Sequence, residues 1–373
     1  LIGLLWVPPT PAQDRPPLAA PIVAYTDAAA DAVYLYDVQT RLTRRLAIGP
    51  GAHTVWDFSA DGCRVLLTYA EPGQPSRVYS LRLTGDDPRS LVDTDELSMA
   101  VWDAWEPDWS PDGTKIAFTL SRPVDGGRES RVAWVPAGGG SPTFYSVAGD
   151  ENTPRWSADG VWLAYVAYEQ RPAGATLTAT AQPEQAANAP RLREGDIWMV
   201  SADGLTKERI TRFDVGSASA PQWDPTSQLI AFRYSPQPGD DQLWVIAAQP
   251  DAIPTQLSFA WHQMLSLGWL PGGERVLLTA RDFGGVQAAR VWSVGLVGNA
   301  DTDAAQLFQV GPLADQPLDF PRYSPDGNWL AVRRAYTLLI TDRNGDEMRV
   351  IGRAGNTPPV WSPGGFSGEA ACH

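Results

Sequence analysis

A seven-residue phrase constrains this chain more than any other feature. It reads most clearly as Pro107-Asp108-Trp109-Ser110-Pro111-Asp112-Gly113. It returns as Pro154-Arg155-Trp156-Ser157-Ala158-Asp159-Gly160, as Pro321-Arg322-Tyr323-Ser324-Pro325-Asp326-Gly327 and as Pro359-Val360-Trp361-Ser362-Pro363-Gly364-Gly365. Looser copies are Trp56-Asp57-Phe58-Ser59-Ala60-Asp61-Gly62, Pro221-Gln222-Trp223-Asp224-Pro225 and Trp269-Leu270-Pro271-Gly272-Gly273, which makes seven. Recurrence of one phrase in order along the chain marks a repeat architecture, whose units cannot bury their apolar faces alone.

The phrase is a strand running into a tight turn, because Pro presets φ, Asp tolerates the next position and Gly takes the left-handed one. Short apolar strands follow the turns, as at Val65-Leu66-Leu67, Ile116-Ala117-Phe118, Ile230-Ala231-Phe232 and Leu330-Ala331-Val332. Third strands such as Val132-Ala133-Trp134 and Ile197-Trp198 come next, then weaker fourth ones such as Arg209-Ile210 and Gln256-Leu257. Each unit therefore reads as a four-stranded antiparallel sheet, apolar on both faces, and a radial ring of such sheets is a propeller. No room for three further strands follows Trp361. Unpaired strand patterns do lie before the first phrase, at Ile22-Val23-Ala24-Tyr25, Val33-Tyr34-Leu35-Tyr36 and Arg45-Leu46-Ala47. The prediction is an all-β, seven-bladed β-propeller over 21–365. Its last blade takes its inner strand from the C-terminus and three strands from the N-terminus, which removes the open sheet edges.

The phrase and the strands after it resemble the repeat of TolB-type (WD40-like) propellers and are similar to the propeller of prolyl oligopeptidase-type proteins. The resemblance covers about 21–365. It departs from TolB in having only about twenty residues before the ring, and from the peptidases in lacking an α/β-hydrolase domain. What the resemblance implies is the architecture, an extracytoplasmic habit and a tendency to bind proteins; it does not name the partner.

The formal net charge is −14, and no Lys/Arg stripe is present, which argues against a nucleic-acid partner. No Gly-x-Ser-x-Gly elbow occurs, and only His53, His262 and His373 are available as a triad base. Three scattered His and two Cys do not make a zinc site. Asp342 to Glu347 reads as a hairpin turn rather than a calcium loop. The Asp86-Asp87 and Asp93 to Glu96 runs read as solvated loops. No cofactor and no catalytic residue are expected. Cys63 and Cys372 fall beside the first and last phrases, in neighbouring blades, so they are either a disulfide locking the ring or two separate thiols.

Outside the ring, 1–20 form an apolar, Pro-rich tail and 366–373 a C-terminal tail. The apolar run 1–7 is too short to span a bilayer, which takes about 20 helical residues. It reads as the end of an export signal, as part of a membrane anchor, or as a docking segment. The Ala-, Pro- and Gln-rich stretch 169–195 interrupts blade three, either as a mobile excursion or as an arm touching a neighbour.

Residues just before each phrase pass from one blade to the next and should converge on the mouth of a central channel. They include His53, Trp105, Glu106, Asn152, Thr153, His262, Gln263, Asp319, Phe320 and Asn356. A funnel of aromatic and polar groups suits a peptide or small ligand, with Trp105 and Phe320 as anchors; the alternative is that these groups satisfy only waters and backbone. The expected function is a non-catalytic, extracytoplasmic scaffold (periplasmic, secreted or outer-surface) holding protein partners through the tail, the 169–195 arm or the channel mouth. A ligand- or glycan-binding propeller is the alternative, and a lyase or hydrolase a more distant one.

Overall fold

The computed structural model describes residues 16–93, 102–125, 127–145, 149–172, 191–258, 263–281, 289–296, 304–306, 317–343, 345 and 347–372. Among them the only helical element is a single 3-10 turn, Glu369–Ala371; the rest is β structure and connections.

The repeated phrase builds its turn as its residue types require. Ser110 Oγ donates to Asp112 Oδ1 at 2.6 Å, and that same oxygen accepts the Thr114 N–H at 3.0 Å. Gly113, at φ 71°, donates its N–H to the Ser110 carbonyl at 2.8 Å. Lys115 N then returns to Ser110 Oγ at 2.9 Å, which sets the next strand antiparallel. The same set recurs at Ser59/Asp61/Gly62, Ser157/Asp159/Gly160 and Ser324/Asp326/Gly327. In the looser copy at Pro221, Asp224 takes over the acceptor role toward Thr226 and Leu229. Ser227 stands at φ 60° where the other copies have Gly.

These turns generate four-stranded antiparallel meanders. One runs Ala52–Phe58, Arg64–Ala70, Arg77–Arg82 and Arg89–Ser90. Others begin at Ser217–Trp223, Gln263–Trp269 and Leu318–Tyr323. The strands from Asp103–Trp109 to Thr143–Phe144 and those from Asp150–Trp156 to Lys207–Arg209 are linked into one eight-stranded sheet. The link is a single parallel bridge between Ser130 and Asp150. A composite sheet closes the series. Val360–Trp361, from the C-terminal end, pairs with Ile22–Thr26, which is followed outward by Val33–Asp37 and Thr43–Leu46.

The core lies between sheets. Leu66, Val78 and Leu91 of one meander pack with Trp109, Ile116 and Phe118 of the next. Val23, Tyr25 and Tyr36 of the composite sheet pack with Ala331, Leu338 and Ile340. Each such side chain contributes roughly 1.5–3 kcal/mol on burial. A meander therefore gains most of its stability from its two neighbours.

The junction of the chain ends is polar as well as apolar. Ile22 N donates to Ser362 Oγ at 3.0 Å and Ser362 N donates to the Ile22 carbonyl at 2.8 Å. Leu18 N meets Glu369 Oε2 at 2.8 Å, while Glu369 Oε1 forms a 2.5 Å ion pair with Arg44, both side chains buried. Cys63 and Cys372 are joined by a disulfide, with 5.5 Å between their Cα atoms, so the open alternative resolves to the bonded one.

The apolar run 1–7 lies outside the described residues. The excursion in blade three is shorter than 169–195, because Trp162–Pro172 and Arg191–Ser201 pair as far as Pro172 and Arg191. The extended ladder is held by Arg193, which chelates Asp150 and stacks 3.6 Å over the Tyr168 ring. Glu194 is held too, accepting the Gly216 N–H.

Candidate functional site

The innermost strand of each meander carries a β-bulge just before the aromatic residue of its phrase. Pairing slips between Trp105 and Asp108, between Asn152 and Arg155, between Ser219 and Gln222, and between Asp319 and Arg322. Inside these slips Glu106, Thr153, Ala220 and Phe320 sit at φ 50°, 57°, 53° and 50°. Left-handed backbone is unfavourable for residues with a Cβ and concentrates at functional or close-packed positions. Here it re-aims consecutive side chains where the inner strands begin.

The residues expected at the mouth divide into distinct groups. Trp105 is 44% exposed, with its indole Nε1 tied to Ser121 Oγ at 3.0 Å. Asp319, Phe320 and Asn356 gather around buried Arg333. Its guanidinium chelates Asp319 at 2.6 and 2.7 Å, meets Asn356 Oδ1 at 2.8 Å and lies 4.7 Å above the Phe320 ring. Asn152 accepts from the Thr153 hydroxyl at 3.0 Å. Gln263 is exposed and bonded to Arg281. His53 is different: it is only 1% exposed, Nε2 accepts the Ile48 N–H at 3.0 Å and Nδ1 faces the Gly51 carbonyl at 3.1 Å. These bonds fix the neutral tautomer, burial lowers its pKa, and neither nitrogen is offered to a ligand. His262 lies outside the described residues.

A second ring of residues was missed in the sequence. The variable position between Pro and the aromatic residue of each phrase is Asp57, Asp108, Arg155, Gln222, Gly268, Arg322 and Val360 in turn. Two of these side chains, Asp57 and Asp108, bind across to the next inner strand. Asp57 Oδ2 accepts the Trp109 N–H at 3.1 Å, and Asp108 Oδ2 accepts the Trp156 N–H at 2.6 Å. Where the position is not Asp, the clamp changes. The indole N–H groups of Trp223, Trp269 and Trp361 donate at 2.9 Å to the carbonyls of Arg155, Gln222 and Arg322. The indole nitrogens of Trp109 and Trp156 are buried without a hydrogen-bond partner among the described residues. The carboxylate clamp thus replaces the indole clamp.

Acidic and basic groups act on one another here, since Arg155 favours the ionised forms of both Asp57 and Asp108. Burial, and then the neighbouring Asp108, push the Asp57 carboxyl up to about 7; burial raises Asp108 as well. On the other arc, burial and the proximity of Arg155 pull Arg322 down to about 10. A cavity of about 270 Å³ opens beside Asp57, walled by Trp109, Trp361 and prolines of the turns. A cue to these residues was available in the sequence: within an otherwise repetitive phrase, this position alone alternates between acid, base and neutral.

No protein-family model matches the chain. An uncharacterized protein of Agrobacterium fabrum is 27% identical over 146 residues, 36% of this chain; the chain spans about half (47%) of that curated relative. Among solved structures, TolB from Acinetobacter baumannii superposes with a TM-score of 0.50 at 16% identity, covering 89% of this chain and 79% of that one. Oligogalacturonate lyase from Vibrio parahaemolyticus gives 0.54 at 12% identity, covering 93% and 92%. The tricorn protease gives 0.59 at 11% identity, covering 93% of this chain and 34% of that one. At these identities the likeness is one of fold: the chain is an all-β propeller. That group of folds contains both TolB and enzymes, so the fold alone does not decide between binding and catalysis.

Proposed function

We propose that this is a seven-bladed, non-catalytic propeller that works outside the cytoplasm and holds a protein partner at its channel mouth. The eight-stranded sheet counts as two blades touching through one bridge. The single observation that carries the binding role is Trp105, 44% exposed beside a left-handed bulge at the rim. Large aromatics half-exposed on a rigid rim are the usual anchors of protein interfaces. The Phe320–Arg333–Asp319–Asn356 group supplies a second, pre-ordered patch on another inner strand. The Cys63–Cys372 disulfide supports export, since such bonds persist in oxidising compartments. Contact with a membrane through residues 1–7 belongs to this proposal too.

The test is affinity capture from the native envelope with the full chain, its Trp105→Ala variant and a variant lacking 173–190. Loss of the captured partner with Trp105→Ala alone supports the mouth. Loss only with the deletion moves the interface to the arm, and retention in both rejects the scaffold reading. A glycan- or small-ligand-binding propeller is the second reading, favoured by the charged channel lining. An enzymatic role finds little support in His53, whose ring nitrogens are both spent on the main chain.

A further inference from the structure

The turn end of the inner strands holds a cavity of a different character from the rim. Along Asp103–Trp109 the exposed Trp105 stands at the rim end and Trp109 at the turn end, about 13 Å further on for four residues of strand. The cavity of about 270 Å³ beside Asp57 lies at that turn end. It falls just under the roughly 300–1,000 Å³ of pockets that take drug-sized molecules, so it suits a small ligand.

Its wall offers a narrow chemistry. Asp57 is the one charged residue lining it, while Phe58, Trp109 and Trp361 supply aromatic surface and Pro111 and Pro363 close it from the turns. Ser59 and Ser110 also line it, but their hydroxyls already donate to Asp61 and Asp112 at 2.5 and 2.6 Å. The Asp57 carboxylate is held in place: Oδ1 accepts the Phe58 N–H at 2.7 Å and Oδ2 the Trp109 N–H at 3.1 Å. Each oxygen keeps a lone pair. Among the described residues no Lys, Arg or His forms an ion pair with Asp57. Arg155 favours its ionised form without touching it. The rings are fixed too, with Trp109 and Phe58 buried and Trp361 Nε1 donating to the Arg322 carbonyl at 2.9 Å.

We propose that this cavity binds a small organic ammonium ion, with the Asp57 carboxylate as its counter-charge and Phe58, Trp109 and Trp361 as its aromatic walls. Two observations select this class. A carboxylate that lacks a cationic partner attracts positive charge and repels an anion. Aromatic walls attract a cation through the negative faces of their rings and also shelter its alkyl groups, which favours an alkylated ammonium. A bare calcium or magnesium ion would instead demand several oxygen ligands, and Asp57 is the one carboxylate in the wall. This site goes beyond the partner-binding role, because it lies at the opposite end of the inner strands from Trp105 and can fill whether or not a protein docks there.

The test is saturation-transfer NMR on the full chain at pH 8.5, where the Asp57 carboxyl is ionised. Choline is the probe, and its neutral isostere, with a tert-butyl group in place of trimethylammonium, is the control. Choline should receive saturation from the wild-type protein, and the isostere should bind about tenfold more weakly or worse. Asp57→Asn, which keeps an oxygen for the Trp109 N–H, should weaken choline binding by about tenfold or more. Ala60→Lys should weaken it as well, since this exposed turn residue lines the cavity and would tether a competing ammonium there; it serves if Asp57→Asn does not fold. No transfer to choline in the wild type, equal binding of the isostere, or undiminished choline binding in a folded variant would each overturn the assignment.

Discussion

Asp108 and Trp156 lie on separate, unpaired strands of the eight-stranded sheet, yet the Asp108 carboxylate accepts the backbone N–H of Trp156 at 2.6 Å. The bond runs from a channel-lining side chain to the next inner strand, so the same residue both charges the channel and fastens the ring. Replacing Asp108 with Ala should strand a buried N–H and cost about 1–3 kcal/mol. Asp108→Asn keeps an acceptor and should cost much less. Urea denaturation of the two variants checks this; equal losses would mean that the bond contributes nothing.

The Asp57 carboxyl sets a pH dependence of stability. Its pKa is 3.8 as a free side chain and about 7 in the fold, so between these values the folded state binds more protons than the unfolded one. Stability from this group is therefore full below about pH 4 and is lost as pH rises through 7. Asp112, Asp203 and Asp326 are shifted downward and act oppositely, losing stability only as the solution becomes more acidic than the ordinary carboxylate range. Melting temperatures recorded from pH 4 to 8 should decline toward the upper end for the wild type. Asp57→Asn should flatten that decline, and an unchanged slope would refute the assignment.

The disulfide between Cys63 and Cys372 spans 309 residues of sequence. A cross-link closing so long a loop stabilises by roughly 2–5 kcal/mol, chiefly by restricting the unfolded chain. The Cys63→Ser/Cys372→Ser double variant should still fold, because the composite sheet and its Ser362–Ile22 bonds remain. Its melting temperature should fall to that of the reduced wild type. A melting temperature insensitive to reductant would show that the bond restrains little.

Arg44 and Glu369 form a buried pair at 2.5 Å that fixes the C-terminal turn to the composite sheet. Glu369→Gln alone should cost about 3–5 kcal/mol, since it leaves a guanidinium buried without its charge partner. An Arg44→Met/Glu369→Leu double variant should recover much of that loss. Calorimetry on the three proteins decides; a double variant no better than the single one would argue that the charges themselves hold the turn.

Much of the ring was legible because its information is redundant. Seven copies of one phrase each repeat the Ser-to-Asp turn, so a degenerate copy such as Pro221 to Pro225 could be recognised from its siblings. The composite sheet followed from counting strands at the two ends. The channel was not legible in the same way. Position 108 reads as noise inside a repeat, and only packing reveals that Asp57, Asp108, Arg155 and Arg322 face a common space. His53 illustrates the converse. Its place before a phrase suggested the rim, but a histidine that can satisfy two backbone groups in a tight connection is drawn into the interior. The Phe320 neighbourhood was found by position, while its organising residue, Arg333, lies in the second strand and left no trace before the phrase.

The link between Cys63 and Cys372 makes most of this polypeptide a covalent circle. A protease that severs any one peptide bond between those two cysteines leaves a single molecule, with both fragments tethered and every blade still flanked by its neighbours. Two cuts within the circle are needed before a piece can diffuse away.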